Sequence, residues 1–280
     1  MPARHTRSLV GFFGVTFALA WIAWLASARL GLLGGGFFAT GGLLFLLGVF
    51  APGLVALGLT WHDEGRPGVV ALLARVGRWA VEPRWYVIAL GYMAAIKLVA
   101  AVIARVITGT WPDFGETPWP SMIGGIVLST WVQAGEEVGW RGYALPRLWQ
   151  HLGLGGAGIV LGVIWAIWHL PLFFIPGTGS DTQSFPIYLI IVTNISVALA
   201  WVYWKTEGSL LLVMLMHASV NNTAGIVPAS LPYPVGPLSL EGSIVAWSTV
   251  GVSSLVSVLL LVRMRGAVPE SAAAVLPISR

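Results

Sequence analysis

The sequence predicts an all-α, polytopic membrane bundle of about eight transmembrane helices with both termini in the cytoplasm. Three observations support this fold class: the composition, the spacing of the apolar segments and the placement of the basic residues. Of the 280 residues, 57% are hydrophobic and only 9% are charged, whereas about 25% of the residues of a soluble domain are charged. A chain this apolar cannot cover a surface in water, so its solvent is expected to be the lipid bilayer.

Apolar segments that are long enough to span a bilayer recur along the chain. A spanning helix needs roughly 20 apolar residues. The candidate spans are Leu9–Leu30, Thr40–Trp61, Trp85–Ile107, Ser121 to about Leu148, Gly155–Ile175, Phe185–Trp204, Ser209–Val227 and Ser243–Val262. Short connections join them, which predicts one integral membrane domain over residues 1–280. The less apolar segment His62–Arg84 predicts a short amphipathic helix on the cytoplasmic surface.

The basic residues predict the orientation. If the N-terminus is cytoplasmic and the spans alternate, all 15 Lys and Arg residues except Arg29, Lys97 and Arg105 lie on the inner side, Arg280 in the tail included. The outer connections, such as the one after Gly31, contain no Lys or Arg. We expect the plasma membrane of a bacterium or archaeon, and a first span that is retained, although Ala26–Ala28 also fits a signal-peptide cleavage site.

The composition also excludes several classes of function. The chain has no cysteine, so disulfides, thiol catalysis and cysteine-based zinc sites are absent. The formal net charge is +4, but the basic residues lie at span ends instead of along one face. No nucleic-acid partner is therefore expected.

The first polar cluster, Gly135–Arg141, lies in the second half of the fourth candidate span. Glu137 and Arg141 are four residues apart, so on a helix they share a face and can pair. Glu136 projects about 100° away from that pair, since a helix has about 3.6 residues per turn. This leaves Glu136 free to face the bundle interior as a candidate general base or acid. The alternative is that both glutamates lie at the membrane surface, near Arg141 and Arg147.

The second cluster is a histidine among aromatic residues in the fifth span. His169 lies four residues after Trp165, and Pro171 follows closely. Proline bends or ends a helix and frees backbone carbonyl groups near it. A single histidine in such surroundings is also compatible with a packed core residue, so His169 alone does not indicate chemistry.

The third cluster lies in the seventh span. His217 and Asn221 are four residues apart and project from one helical face at similar depth. Such a pair could hold a developing oxyanion or supply two metal ligands. The alternative is hydrogen bonding between helices, which His and Asn provide in lipid, and Ser219 and Asn222 fit that interpretation better.

The three clusters together can activate water and polarise a carbonyl group. Ionisable groups inside a bilayer are costly, so they are functional candidates by default. At ~1.5 Å per residue, Glu136 lies ~22 Å from the outer end of its span and His169 ~21 Å from the inner end of its own. In a core ~30 Å thick they lie at different levels, unless the fifth helix, which follows Gly155 and Gly156, starts deep or tilts.

The order of these motifs on separate spans resembles the CPBP family, which comprises CAAX prenyl endopeptidases, bacteriocin-processing enzymes and Abi-type proteins. The resemblance covers a motif-bearing core of about residues 121–225. Its motifs are Glu136-Glu137-x-x-x-Arg141, aromatic-x-x-x-His169 and His217-x-x-x-Asn221. The second motif usually begins with Phe, whereas Trp165 stands here, and an aromatic packing role would survive that change.

The resemblance implies an intramembrane endopeptidase that hydrolyses a peptide bond in a membrane-associated peptide or protein. The residues matching Glu136 and His169 would activate the water. Those matching His217 and Asn221 would stabilise the oxyanion.

The same resemblance gives supporting roles to Glu137 and Arg141 beside the catalytic groups. Many family members are described as metalloproteases, and two His with Glu could bind zinc, but the same residues also work without metal. The metal therefore stays open. The expected partners are the substrate and the lipid bilayer, and nothing in the sequence shows a prenyl-binding pocket.

Two other functions compete with this interpretation. A non-catalytic immunity or scaffolding protein of the same fold would use the motif residues as contacts between helices. An ion-coupled transporter would use Lys97 and the carboxylates as a relay, but transporters often show paired halves with broken helices, and no such symmetry is visible. The sequence also lacks the H-E-x-x-H, G-x-G-D and G-x-S-G motifs of other intramembrane protease classes.

Overall fold

The computed structural model describes residues 2–30 and 40–267, and side chains from residue 8 onward. The regular secondary structure of the described chain is helical, without strands. Its α-helices are α1 Pro2–Arg29, α2 Thr40–Ala74, α3 Pro83–Thr108, α4 Trp119–Val132, α5 Ala134–Glu137, α6 Leu145–Trp168, α7 Phe185–Lys205, α8 Leu210–Thr223 and α9 Ile244–Met264. A π-helical segment, Val138–Ala144, joins α5 to α6. The all-α fold class is confirmed, while the connection after Gly31 and the tail with Arg280 lie outside the described residues.

Six helical segments of the described chain are long and apolar enough to cross a membrane. One of them, Trp119–Phe174, is 56 residues long, and it changes direction at Gly153, whose φ of 68° interrupts the helix. A shorter apolar segment, Leu210–Ile226, covers the seventh candidate span. Dividing the long segment at Gly153 and adding the short one gives apolar helices at the positions of the eight predicted spans, although only the six segments are long and apolar enough by themselves to cross a membrane.

Two glycines set the positions at which the chain turns. Gly153 has a left-handed φ, which glycine adopts without steric cost, so the fourth span runs on past Leu148 before the chain reverses. Gly65, with φ of 64°, likewise separates the long arm of α2 from the helical turns up to Ala74. The predicted helix within His62–Arg84 is therefore present.

The bundle presents apolar side chains outward and packs aromatic residues within. Leu54, Val87 and Leu128 are exposed on the long helices, as expected of side chains that face lipid. Phe12 and Trp24 of α1 are fully buried. Helix α1 packs on α2, α6 packs on α7, and α3 packs on both α8 and α9, so α8 lies in the interior, where it carries the third motif.

Candidate functional site

Close packing of α5 and the π-helical segment against α2 fixes the position of the first motif. A Cβ atom on Gly139 would lie 2.5 Å from the carbonyl of Pro52, and one on Gly135 would lie 3.0 Å from the Cα of Phe50. These glycines are spaced as in the small-residue motifs that allow membrane helices to approach closely. The π-helical segment, a rare geometry that is frequent at functional sites, begins directly after the two glutamates.

Glu137 is the centre of a buried polar network. Its side chain and that of Arg141 are both 0% exposed, and Nη1 of Arg141 donates to both carboxylate oxygens at 2.9 and 3.0 Å. Nδ1 of His217 donates to Oε1 at 2.7 Å. The guanidinium also lies 4.5 Å from the ring centroid of Trp165. The predicted pairing of Glu137 with Arg141 is therefore confirmed, and the network extends to the third motif.

Glu136 has a different environment from its neighbour. It accepts one hydrogen bond, from Nε1 of Trp165 to its Oε2 at 2.7 Å, and it is 6% exposed. Because the guanidinium is committed to Glu137, no basic side chain of the described chain lies within 4.0 Å of Glu136. The second carboxylate is therefore held in place but left available at Oε1.

His169 lies at the end of α6, one turn beyond Trp165. The helix ends at Trp168 and continues as a 3₁₀ segment, Leu170–Phe174, which agrees with the effect expected of Pro171. Nδ1 of His169 lies 2.9 Å from the carbonyl oxygen of Trp165. A carbonyl oxygen only accepts hydrogen bonds, so the proton lies on Nδ1 and a neutral ring keeps Nε2 as a base.

His217 and Asn221 contribute two side chains of unequal exposure. His217 is 3% exposed and held by Glu137, as described above, while Asn221 is exposed to the cavity and has no hydrogen-bond partner among the described residues. The ring of Trp165 lies 5.0 Å from that of His217 and 5.8 Å from that of His169. Trp165 thus stands between the two histidines and links all three motifs.

The four predicted catalytic residues line one cavity of about 780 Å³: Glu136, His169, His217 and Asn221. Glu136 and His169, expected at different levels, share this cavity because the helix before Gly153 extends to Leu152 instead of ending near Leu148. The inner end of the fourth span is therefore farther from Glu136 than predicted. The four residues thus line one cavity, and Glu136 and Glu137 are buried within the protein.

Ser219 and Asn222 have the structural role that the sequence favoured. Oγ of Ser219 donates to the carbonyl of Leu90 at 2.6 Å. Nδ2 of Asn222 donates to Oγ of Ser129 at 3.0 Å and to the carbonyl of Ala218 at 2.8 Å. These bonds hold α8 against α3 and α4.

The sequence did not predict how three residues contribute to the site. The Nε1–H of Trp165, which binds Glu136, has no counterpart in the usual Phe. Tyr188 of α7 lines the cavity with its ring 5.6 Å from that of His169, but a single Tyr in an apolar helix gives no signal. Lys97, left without a role by the sequence, lines the same cavity.

The arrangement of these side chains does not fit a zinc site. Zinc needs at least three protein ligands that converge on one point. Among residues 8–30 and 41–267, no group of three or more His, Asp or Glu side chains is placed to hold a metal ion. The mechanism proposed below therefore uses no metal.

Comparison with known proteins agrees with this geometry. Residues 118–223 match the model of a family described as type II CAAX prenyl endopeptidase Rce1-like. A CAAX prenyl protease 2 from Methanococcus maripaludis is 27% identical over 96 residues, which are 31% of this chain and 34% of that protein. The chain thus matches about a third of that relative's length. Residues 118–223, which match the family model, contain all three motifs. Both matches are consistent with the family predicted from the motifs, and they show that residues 118–223 are similar to the CAAX prenyl endopeptidases.

Proposed function

We propose that this protein is an intramembrane endopeptidase that hydrolyses a peptide bond in a membrane-associated peptide or protein. One observation carries the proposal. Of two adjacent carboxylates, Glu137 is saturated by Arg141 and His217, while Glu136 lines a cavity with His169 and has a free oxygen. The family match to the CAAX prenyl endopeptidases supports the same activity.

In the proposed mechanism, Glu136 and His169 activate the attacking water. Oε1 of Glu136 and Nε2 of His169 are the two basic atoms on this side of the cavity, because Oε2 and Nδ1 are already hydrogen-bonded. One of them takes a proton from the water as its oxygen attacks the carbonyl carbon. The proton is then given to the departing amine when the C–N bond breaks. General base catalysis of this kind contributes about 10²- to 10⁴-fold to the rate.

The oxyanion is stabilised by His217 and Asn221 in this scheme. Asn221 offers its amide N–H groups, which no described residue occupies. His217 donates from Nε2, which requires a second ring proton since Nδ1 donates to Glu137. The Glu137 carboxylate, 2.7 Å from Nδ1, stabilises that proton arrangement. Donors of this kind typically contribute about 10²- to 10³-fold.

The test compares Glu136→Gln with wild type in liposomes. Substrates are membrane-anchored peptides, including farnesylated peptides of the CAAX type, with and without chelator. We expect cleavage by wild type, resistance to chelator, and a loss of about 10²- to 10⁴-fold in Glu136→Gln with an unchanged melting temperature. A matched control is Glu116→Gln, because Glu116 is exposed and does not line the cavity.

Equal cleavage by wild type and Glu136→Gln would contradict the mechanism. No cleavage by wild type of any anchored peptide would favour the non-catalytic interpretation. Cleavage lost on adding chelator and restored by zinc would overturn the metal-free assignment.

A further inference from the structure

A second cavity lies at the opposite end of α7 from the proposed catalytic cavity. Its volume is about 430 Å³, and Trp85 of α3 forms one of its walls. It is also lined by Arg78 and Glu82, which precede α3, and by Lys205 and Glu207 at the end of α7. The two cavities share no lining residue. The proposed mechanism does not use this second site, although its volume is that of a pocket for a small ligand.

Contacts between α3, α7 and α8 fix the walls of the second cavity. Oγ of Ser209 donates to the carbonyl oxygen of Arg78 at 2.6 Å, and Nη1 of Arg78 donates to the carbonyl oxygen of Glu207. Trp85 is 5% exposed and packs edge-on against Trp201 of α7, with the ring centroids 5.1 Å apart. The cavity is therefore bounded by packed and hydrogen-bonded groups, as expected of a binding site.

Basic side chains outnumber acidic ones around this cavity. The charged residues concerned are Arg75, Arg78, Arg84, Lys205, Glu82 and Glu207. Glu82 pairs with Arg84 at 2.7 Å, while the carboxylate of Glu207 is 81% exposed and lies 3.8 Å from Arg78. Lys205 forms no ion pair with a described residue. The surroundings of the cavity therefore carry an excess of two positive charges, which favours an anionic ligand.

Arg78 and Lys205 keep donors for such an anion. The guanidinium of Arg78 is hydrogen-bonded only through Nη1, so Nε and Nη2 donate to no described residue. The ammonium group of Lys205 lies 3.8 Å from the ring centroid of Trp204, and it has no hydrogen-bond acceptor in the described part of the chain. Arginine binds phosphate oxygens through paired N–H groups, and lysine binds them as a point charge. The two side chains are therefore suited to a phosphate group.

The cavity lies at the expected level of the bilayer headgroups. It is formed where α3 begins, at Pro83, and where α7 ends, at Lys205, and both helices are long and apolar enough to cross the membrane. Trp79, which is 70% exposed, lies just before α3, and tryptophan is enriched at membrane interfaces. Val87, one turn into α3, is 71% exposed, as expected of a side chain in lipid. A ligand with its phosphate in this cavity can therefore place apolar chains along α3.

This position favours a membrane lipid over a soluble phosphate compound. The cavity lies on the side of the membrane that the basic residues predict to be cytoplasmic, and the cytoplasmic leaflet contains anionic phospholipids. Salt screens exposed charges over about 10 Å, so a free phosphate in water would be held weakly by two cations. A phospholipid adds contacts between its acyl chains and the exposed side of α3, and it is already concentrated in the membrane.

We propose that the second cavity binds the headgroup of an anionic glycerophospholipid, with its phosphate between Arg78 and Lys205. The glycerol group then lies against Trp85, and the acyl chains follow the exposed side of α3 at Val87. Because the lipid contacts the beginning of α3 and the end of α7, it stabilises the packing of these two helices. The inference goes beyond the proposed peptidase activity and does not depend on it, since the site contains none of the proposed catalytic residues.

Binding is tested with phosphatidylglycerol and with phosphatidylcholine that has the same acyl chains. Each lipid is titrated into the purified full chain in detergent at low salt, and native mass spectrometry measures the affinity of the first bound lipid. The variants are Lys205→Gln alone and Lys205→Gln combined with Arg78→Gln. The matched control is Arg66→Gln, since Arg66 is exposed, lies on the same predicted side of the membrane and does not line the cavity. Thermal unfolding is recorded with and without each lipid.

Wild type is expected to bind phosphatidylglycerol more tightly than phosphatidylcholine, because the choline cation is repelled by the excess positive charge. Lys205→Gln should lower the affinity for phosphatidylglycerol by about 5-fold and the double variant by about 30-fold, the scale expected for one and two basic residues near a membrane surface. Arg66→Gln should leave the affinity unchanged. Phosphatidylglycerol should raise the melting temperature of wild type more than that of the double variant. Lys205→Gln should fold like wild type, because the Lys205 side chain is hydrogen-bonded to no described residue.

Equal affinity of wild type for the two lipids, or a preference that survives the double variant, would overturn the proposal. An equal loss of affinity in Arg66→Gln and Lys205→Gln would also overturn it, because the attraction would then be general instead of local. Glycerol 1-phosphate and inorganic phosphate are added as competitors to test a soluble source of the phosphate. Displacement of the lipid by either compound at a comparable concentration would assign the cavity to a soluble phosphate compound and reject the lipid.

Discussion

The two adjacent glutamates of the first motif differ in how completely their carboxylates are hydrogen-bonded. Glu137 accepts hydrogen bonds from Arg141 and His217, and neither its carboxylate nor the guanidinium of Arg141 is exposed. On the cavity side, Glu136 receives one N–H, and Asn221 and Lys97 receive no partner among the described residues. The Glu137 carboxylate is thus fully engaged, although Nε and Nη2 of its partner Arg141 have no hydrogen-bond partner among the described residues, whereas the adjacent Glu136 carboxylate keeps one oxygen free.

This difference separates residues that hold the site from residues that are free to act. A buried charge is tolerated when it is paired and hydrogen-bonded, which describes Glu137. Polar groups without protein partners in a cavity remain able to hydrogen-bond to water or substrate, as Glu136 and Asn221 can. Variants of Glu137 and its partner Arg141 should therefore mainly change stability. Variants of the cavity residues Glu136 and Asn221 should mainly change turnover or binding.

The largest effect is expected from Arg141→Met. Removing one partner of a buried ion pair leaves an uncompensated charge and costs about 3–5 kcal/mol. We expect a clear loss of stability in detergent unfolding experiments. Adding Glu137→Gln should recover part of the loss, because the unpaired charge is then gone. If Arg141→Met alone were as stable as wild type, the stabilising role of the Glu137–Arg141 pair would be contradicted.

Asn221→Ala should act on turnover. Since Asn221 is exposed to the cavity and bonded to no described residue, its truncation leaves the packing of α8 intact. We expect kcat to fall by about 10²-fold, the usual effect of losing one oxyanion donor, with an unchanged melting temperature. A fall in stability with unchanged kcat would show that Asn221 supports the fold instead of the reaction.

Trp165→Phe should have a smaller effect. This change keeps a ring between Arg141 and the histidines but removes the N–H that holds Glu136. Loss of one hydrogen bond to a charged group predicts a fall of about 10-fold in kcat, with KM unchanged. Trp165→Leu, which also removes the ring, serves as the comparison and should lose stability. Identical kcat in Trp165→Phe and wild type would show that Glu136 needs no such support.

The smallest effect is expected from Asn222→Ala. Asn222 faces α4, where it donates to Ser129, and hydrogen bonds between membrane helices contribute about 0.6 kcal/mol on average. A slight loss of stability with full activity is therefore expected from unfolding and cleavage assays on the same preparation. Loss of activity comparable to that of Asn221→Ala would remove the distinction between the two neighbouring asparagines.

The spans and the motif pairings could be predicted because both follow from short-range rules. Apolar length identifies a span, and a spacing of four residues places Glu137 beside Arg141. The placement of Glu136 and His169 in one cavity was harder to predict, because the depth of each residue depends on where the chain turns. That turn lies at Gly153, and a glycine in the sequence does not say whether it will adopt a left-handed conformation.

Other features depended on contacts between helices that the sequence does not specify. The indole N–H of Trp165 in α6 donates a hydrogen bond to Glu136 in α5. The sequence motif indicated only an aromatic ring at this position. Lys97 and Tyr188 join the site because α3 and α7 happen to border the cavity. Gly135 and Gly139, by contrast, form a readable small-residue spacing that predicts close helix contact.

The most direct test of the account replaces each of the two adjacent glutamates separately. Glu136→Gln and Glu137→Gln remove the same charge from neighbouring positions of one helix. Cleavage of an anchored peptide and thermal unfolding are measured on each purified protein. The account predicts that Glu136→Gln melts like wild type and has lost cleavage, while Glu137→Gln melts at a lower temperature because Arg141 and His217 lose their shared acceptor. Glu136→Gln that still cleaves, or Glu137→Gln that is as stable as wild type, would contradict it.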